Sequence, residues 1–148
     1  MTAAEDRTLP VVEGESAFFW LSGKEEVLRI QRCEACQHWQ HPPLPLCPKC
    51  HSAALSAQAV SGRGRVKTFT VNHQPWKPGM AVPFVFAAIE LEEQAELYVL
   101  SNVLDATDRI RSGMAVEVCF QHHEDVWIPL FRPVSDAAAE DRSQRGAP

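Results

Sequence analysis

Residues 33–50 read CEACQHWQHPPLPLCPKC, two CxxC pairs with ten residues between them. No other feature of the chain restricts its fold as strongly. A CxxC turn places two thiolates on one side of an ion, and a second turn completes a tetrahedral shell with sulfur about 2.3 Å from the metal. The spacing predicts that Cys33, Cys36, Cys47 and Cys50 form a short-loop ribbon of the rubredoxin-like sort around one Zn2+ per chain. Pro42, Pro43 and Pro45 stiffen the intervening loop and forbid a helix there. Four thiolates close the shell, so the ion is structural and catalytic residues are none. Iron in the same site would imply electron transfer, yet no flavin or redox-partner pattern accompanies it. His38, His41 and His51 flank the knuckles and read as surface or hydrogen-bonding groups, since four sulfurs suffice.

The remaining cysteine, Cys119, lies in the alternating run MAVEVCFQ and is expected to be a buried, inert strand residue. An odd count of five cysteines argues for thiols in a reducing compartment rather than a disulfide framework. The N-terminal MTAAEDRTLP has no apolar core, and the longest apolar runs fall far below the roughly 20 residues of a membrane helix. The expectation is therefore a cytoplasmic protein without a membrane.

Downstream of the knuckles the pattern becomes all-β. Strands are predicted over 62–73, 83–93, 96–104, 114–123 and 126–134. A short helical turn over 105–113 is expected to be capped by Asp105 or Thr107 and stopped by Gly113. Five strands with a helical turn after the third is the order of an OB-fold barrel. The glycine pair at 62–64 suggests a bulge or sharp bend in the first barrel strand. Upstream, GESAFFWLS (14–22) reads as a short amphipathic helix and VLRIQRC (27–33) as a strand entering the first knuckle. The expected organisation is a flexible N-terminus (1–13), a helix and zinc ribbon (14–60), an OB-fold domain (61–134) and a disordered tail (135–148).

The net charge of −5 is unevenly spread, with eight Lys or Arg against three acids over residues 24–77. Arg63, Arg65 and Lys67 alternate along the first barrel strand and would form a basic row on one face, suited to phosphates. Phe69, Phe84 and Phe86 could act as base-stacking platforms, but their apolar alternation fits a barrel core better. Against a nucleic-acid module stands the acidic chain as a whole. His122 to Asp125 read as a solvated hairpin tip. Three apolar stretches exceed what a small barrel can bury: Phe18, Phe19 and Trp20 on the helix, Trp39 in the knuckle loop, and Trp76 with Met80 in NHQPWKPGMAVP. They are expected to form a partner interface.

The order of these pieces, from the FFW helix through LRIQRCEAC, LCPKC, VSGRGRVKTFTV, VPFVFAAIEL and IRSGMAVEV to IPLFRPV, resembles the DUF-thirty-five family over about residues 14–134. The resemblance implies a mainly β protein, a rubredoxin-like zinc ribbon joined to a five-stranded OB-fold barrel. It implies an accessory subunit, not a free-standing enzyme. Members accompany thiolase-like enzymes, including aldolases and acyltransferases, or MaoC-like hydratases, some in steroid side-chain breakdown. They are regarded as acyl-CoA-associated and form hetero-oligomers. On this reading Arg63, Arg65 and Lys67 meet the acyl-CoA, and the nucleic-acid-binding OB module is the alternative.

Overall fold

The computed structural model describes residues 7–135. The expected flexible N-terminus and tail fall outside that span except for residues 7–13 and Ser135. Residues 7–13 have no regular structure, but Leu9 and Val12 pack against Val126, Ile128 and Leu130.

Two sheets follow one another. A 3-10 turn (Gly14–Ser16), helix α1 (Ala17–Leu21) and a second 3-10 turn (Ser22–Glu25) precede β1 (Arg29–Cys33). β1 pairs antiparallel with β2 (Trp39–Gln40) and with β3 (Leu55–Ala59), giving the order β2-β1-β3. Neither β2 nor β3 was expected from the sequence: WQ is only two residues long, and the alternation of LSAQA rests on one leucine and two small alanines. The five predicted barrel strands are β4 (Arg63–Asn72), β5 (Phe84–Leu91), β6 (Tyr98–Val103), β7 (Ala115–His123) and β8 (Val126–Pro133). They close in the order β4-β5-β6-β8-β7, with β7 returning to β4 and β6 meeting β8 in parallel at Val103 and Phe131. This is the OB-fold arrangement.

Three local expectations are corrected. The short helical turn expected over 105–113 is present, Ile110 N–H to Ala106 O at 2.8 Å, but Asp105 sits at φ 54°, which is not a helix-cap geometry, so it does not cap the turn. The bulge in β4 falls between Val66 and Thr68, not at the glycines, and Arg65 and Lys67 are both exposed on either side of buried Val66. The glycine at 64 has a different reason: a Cβ there would overlap the Glu90 carbonyl oxygen on β5. Finally, the apolar phase of β5 is reversed. Val85, Ala87, Ile89 and Leu91 fill the barrel, while Phe84 and Phe86 face outward. Glu90 shares the outward phase and was the one polar mark of it in the sequence, outweighed there by the two phenylalanines.

The aromatic helix turns inward. Phe19 is buried, and Phe18 and Trp20 are half-buried against the same core. The following turn lies so close to the β7–β8 hairpin that a Cβ on Gly23 would meet Phe120 and Trp127 at 2.5 Å. Buried Ser22 ties the turn in place, donating to Phe18 O at 2.9 Å and accepting from the Arg29 N–H at 3.2 Å.

Ribbon and barrel share one hydrophobic core, which runs from Leu28, Ile30 and Trp39 to Val66, Ile89 and Phe131. Trp39 is only 7% exposed. Its backbone N–H donates to Gln94 Oε1 (3.0 Å), and Gln94 Nε2 donates back to its carbonyl (2.9 Å). Gln94 thereby acts like a strand partner reaching across from the β5–β6 turn. Arg32 stacks its guanidinium 4.5 Å from the indole centroid. The expectation that Phe19 and Trp39 are offered to a partner therefore fails, because the chain buries both itself.

Two outcomes follow. Trp39→Ala should cost about 3–5 kcal/mol of stability in urea denaturation at full zinc loading, as large-to-small core changes do; a loss below about 1 kcal/mol would contradict this packing. His41, beside Phe19 with ring centroids 4.6 Å apart, has its pKa lowered to about 4 by burial. The unfolded chain takes up a proton near 6.5 and the folded chain does not, so stability is full above 6.5 and falls as pH drops from 6.5 towards 4. His41→Phe should flatten that slope relative to wild type at equal zinc loading, and an unchanged slope would remove His41 as its source.

Candidate metal centre and the surfaces around it

The two knuckles are built alike. In the first, Gln37 N–H closes on Cys33 O and Cys33 N–H on His38 O, both at 2.9 Å; in the second, His51 N–H closes on Cys47 O and Cys47 N–H on Ser52 O, also at 2.9 Å. Gln37 (φ 67°) and His51 (φ 64°) take the left-handed position that ends each turn. Two equivalent turns facing one another bring all four sulfurs within 4.8 Å of each other. Cys33 Sγ lies 3.6 Å from Cys50 Sγ, and Cys36 Sγ lies 3.6 Å from Cys47 Sγ. A tetrahedron with metal–sulfur bonds near 2.3 Å has edges of about 3.8 Å, so the sulfurs already stand where zinc holds them. Backbone amides point in as well: Cys36 N–H to Cys33 Sγ at 3.5 Å, and Lys49 N–H to Cys47 Sγ at 3.4 Å.

These amides divide the thiols. The Cys36 N–H chiefly lowers the pKa of Cys33. Burial pushes Cys47 up, but the Cys50 and Lys49 amides outweigh it and hold the thiol at about 7. At Cys36 the His38 N–H favours the thiolate, yet burial and the neighbouring sulfurs drive the pKa up to about 12. Cys50 is raised in the same way, against the Ser52 amide. Two thiolates form readily and two resist, as expected for four like charges that a divalent cation must offset. The donor set fits one zinc ion, held by Cys33, Cys36, Cys47 and Cys50 with a closed, structural shell. His38 and His51 are not needed as ligands, and His41 packs on Phe19 instead.

The basic row is less available than its sequence suggests. Arg63 donates through Nη2 (2.7 Å) and Nε (3.0 Å) to Glu92 Oε1, and Arg65 Nη1 donates to Gly113 O at 2.9 Å. Lys67 is exposed on the bulge. Cys119 is half-buried beside the Val126, Ile128 and Leu130 cluster. At the hairpin tip His122 stacks on Trp127, with centroids 4.3 Å apart and planes 6° apart.

Sequence reasoning missed the outer face of the barrel. Leu100 is 64% exposed and Phe86 40% exposed. Phe86 pairs with Asn102 and Ala88 with Leu100 across β5 and β6. Trp76, by contrast, was correctly expected at the surface and is 72% exposed.

Elemental analysis of protein purified without added metal should find one zinc per chain. Less than half an equivalent in folded protein would contradict the assignment. Cys47→Ser should lose the ion and unfold residues 33–55, because binding and folding are coupled in such knuckles.

The chain matches the ChsH2 rubredoxin-like zinc ribbon domain over residues 20–56 and the ChsH2 C-terminal OB-fold domain over residues 57–121. It is 38% identical over 124 residues to the 3-oxo-4,17-pregnadiene-20-carboxyl-CoA hydratase alpha subunit of Mycobacterium tuberculosis, covering 84% of this chain and 39% of that protein. It is 36% identical over 128 residues to a probable enoyl-CoA hydratase alpha subunit of Thermomonospora curvata, covering 86% of this chain and 40% of that protein. The chain thus spans about two fifths of the length of the curated relatives it matches. Among solved structures it is similar to a chain of the Ltp2-ChsH2(DUF35) aldolase, with a TM-score of 0.76 and 34% identity, covering 84% of this chain and 98% of that one. A four-cysteine ribbon running into a five-stranded barrel, matched in both halves and in three dimensions, makes this chain a member of the ChsH2 (DUF35) family of zinc-ribbon and OB-fold proteins.

Proposed function

We propose that the chain is a non-catalytic subunit that docks a thiolase-like enzyme of the aldolase or acyltransferase kind and helps it hold an acyl-CoA substrate. The observation that carries this reading is the likeness to the Ltp2-ChsH2(DUF35) aldolase, which extends over 98% of that solved chain. The hydratase alpha subunits among the relatives make a MaoC-like hydratase the second candidate partner.

The physics of the chain supports an accessory role. Its four clustered thiols are committed to a closed metal shell, which has no open position for substrate. The outer barrel face presents Leu100 and Phe86, and the loop beyond it presents Trp76. Exposed apolar side chains gathered on one side suit a protein interface. This supports an interface on the barrel face that carries Leu100 and Phe86, with Trp76 and Met80 at its edge and with Phe19 and Trp39, which the chain buries, left out of it.

One observation favours the alternative. Phe84 and Phe86 point outward on a barrel strand, as stacking platforms for single-stranded nucleic acid do. The charge argues the other way, since the chain is net −5 and Arg63 and Arg65 are both engaged within it.

Co-expression with thiolase-like and hydratase chains from the same genome, followed by capture of this chain, tests the proposal. A stoichiometric complex is expected. Leu100→Glu should weaken it at least tenfold, since interface anchors are typically worth about 2 kcal/mol or more, while zinc content and folding stay intact. No capture of either enzyme, together with salt-dependent binding to single-stranded RNA, would replace this reading with the alternative.

A further inference from the structure

Segment 73–83 lies over one end of the barrel and leaves a pocket of about 490 Å³ beneath it. That volume falls in the ordinary range for small-molecule sites, about 300–1,000 Å³. Trp76, Met80 and Phe84 form one wall, and Val103 and Leu104 line the pocket at the end of β6. Trp76 stands edge-on to Phe84, with ring centroids 5.4 Å apart and planes at 90°. This supports the indole from one side only and leaves most of it in water.

Six polar residues line the pocket beside these apolar ones, Arg7, Thr8, Lys77, Asn102, Asp105 and Thr107, and Asn102 is engaged within the chain. Asn102 Nδ2 donates to Val85 O at 2.9 Å, and Asn102 Oδ1 accepts from Arg7 Nη1 at 3.3 Å. Alongside them the pocket offers the apolar surface of Trp76, Met80, Phe84, Val103 and Leu104. Lys77 stands at the rim, its Nζ 3.4 Å from Thr8 Oγ1. A cation at the mouth of an apolar pocket suits an amphiphile whose body enters and whose anionic end stays outside. The Arg63, Arg65 and Lys67 row lies towards the opposite end of β4, and two of its members are engaged elsewhere.

The geometry points to a binding site for the apolar acyl body of a CoA thioester in this pocket, with Trp76 as its outer wall. The inference rests on the acyl-CoA part of the function proposed above and changes what the chain recognises. Its contribution is to hold the bulky acyl group, and the coenzyme phosphates are left to other surfaces. Apolar burial supplies the affinity, at about 25 cal/mol for each Å² removed from water, so binding should be nearly independent of salt.

Tryptophan emission of the full chain tests this directly, because the highly exposed Trp76 reports on the pocket while Trp39 is buried and Trp20 and Trp127 are half-buried. The probes are 3-oxo-4,17-pregnadiene-20-carboxyl-CoA, the thioester in the name of the tuberculosis relative, its free acid, and CoA alone. The thioester and the free acid should each give a saturable blue shift that Trp76→Phe abolishes. CoA alone should give none. Ala81→Phe, which narrows the pocket from an exposed position, should weaken binding of the free acid at least tenfold by equilibrium dialysis. No saturable response to the free acid, or an equal response to CoA alone, would overturn the site. A shift caused by the captured partner enzyme with none from the free acid would make this a protein contact and overturn it as well. Partner capture without a Trp76 response removes the pocket and leaves docking standing; a response without capture does the reverse.

Discussion

Four thiolates around one ion hold together a stretch that has little else to hold it. Between Cys33 and Leu55 the only regular element is the two-residue β2, and few side chains there are buried apart from Trp39, Gln40, Cys33 and Cys47. So short a segment cannot offset its own conformational entropy by apolar burial. The metal closes both knuckles at once, and this fixes the entry of β1 and the position of β2. Trp39 then carries that order into the barrel through the Gln94 clamp and the shared core. Ribbon and barrel are joined in this way through one core and the Gln94 clamp at the β5–β6 turn.

The parts legible in the sequence were those with a local physical signature. The CxxC spacing located all four ligands, and alternation located all five barrel strands within a residue or two. What stayed hidden depends on distant partners. Strand β3 forms because β1 offers it an edge from Arg29 to Cys33, not because LSAQA favours a strand. The outward phase of β5 was missed because Phe84 and Phe86 outweighed Glu90, the single polar residue that shares their face. The short turn over 105–113 was legible, but not that Asp105 would be left-handed at its start. For the site, residue type suggested a basic row, but Glu92 and Gly113 could not be foreseen as partners of Arg63 and Arg65. Trp39 and Trp76 looked alike in sequence, yet Gln94 draws one inside while the proline-flanked 73–83 loop leaves the other out.

Function in this reading comes from surfaces supported by a rigid frame. The zinc shell is closed, the barrel interior is filled by apolar side chains, and under the proposed function the chemistry belongs to a partner. The frame contributes shape: an apolar outer face at Leu100 and Phe86, and beside it the Trp76 pocket.

The central claim is that the chain works by completing another enzyme. Its most direct test is the kcat/KM of the purified thiolase-like partner on an acyl-CoA substrate, measured while the zinc-loaded chain is titrated in. The account predicts that activity rises and saturates at a fixed stoichiometry, with no turnover by the chain alone. Partner activity that is unchanged by the chain, or turnover by the isolated chain itself, would contradict it.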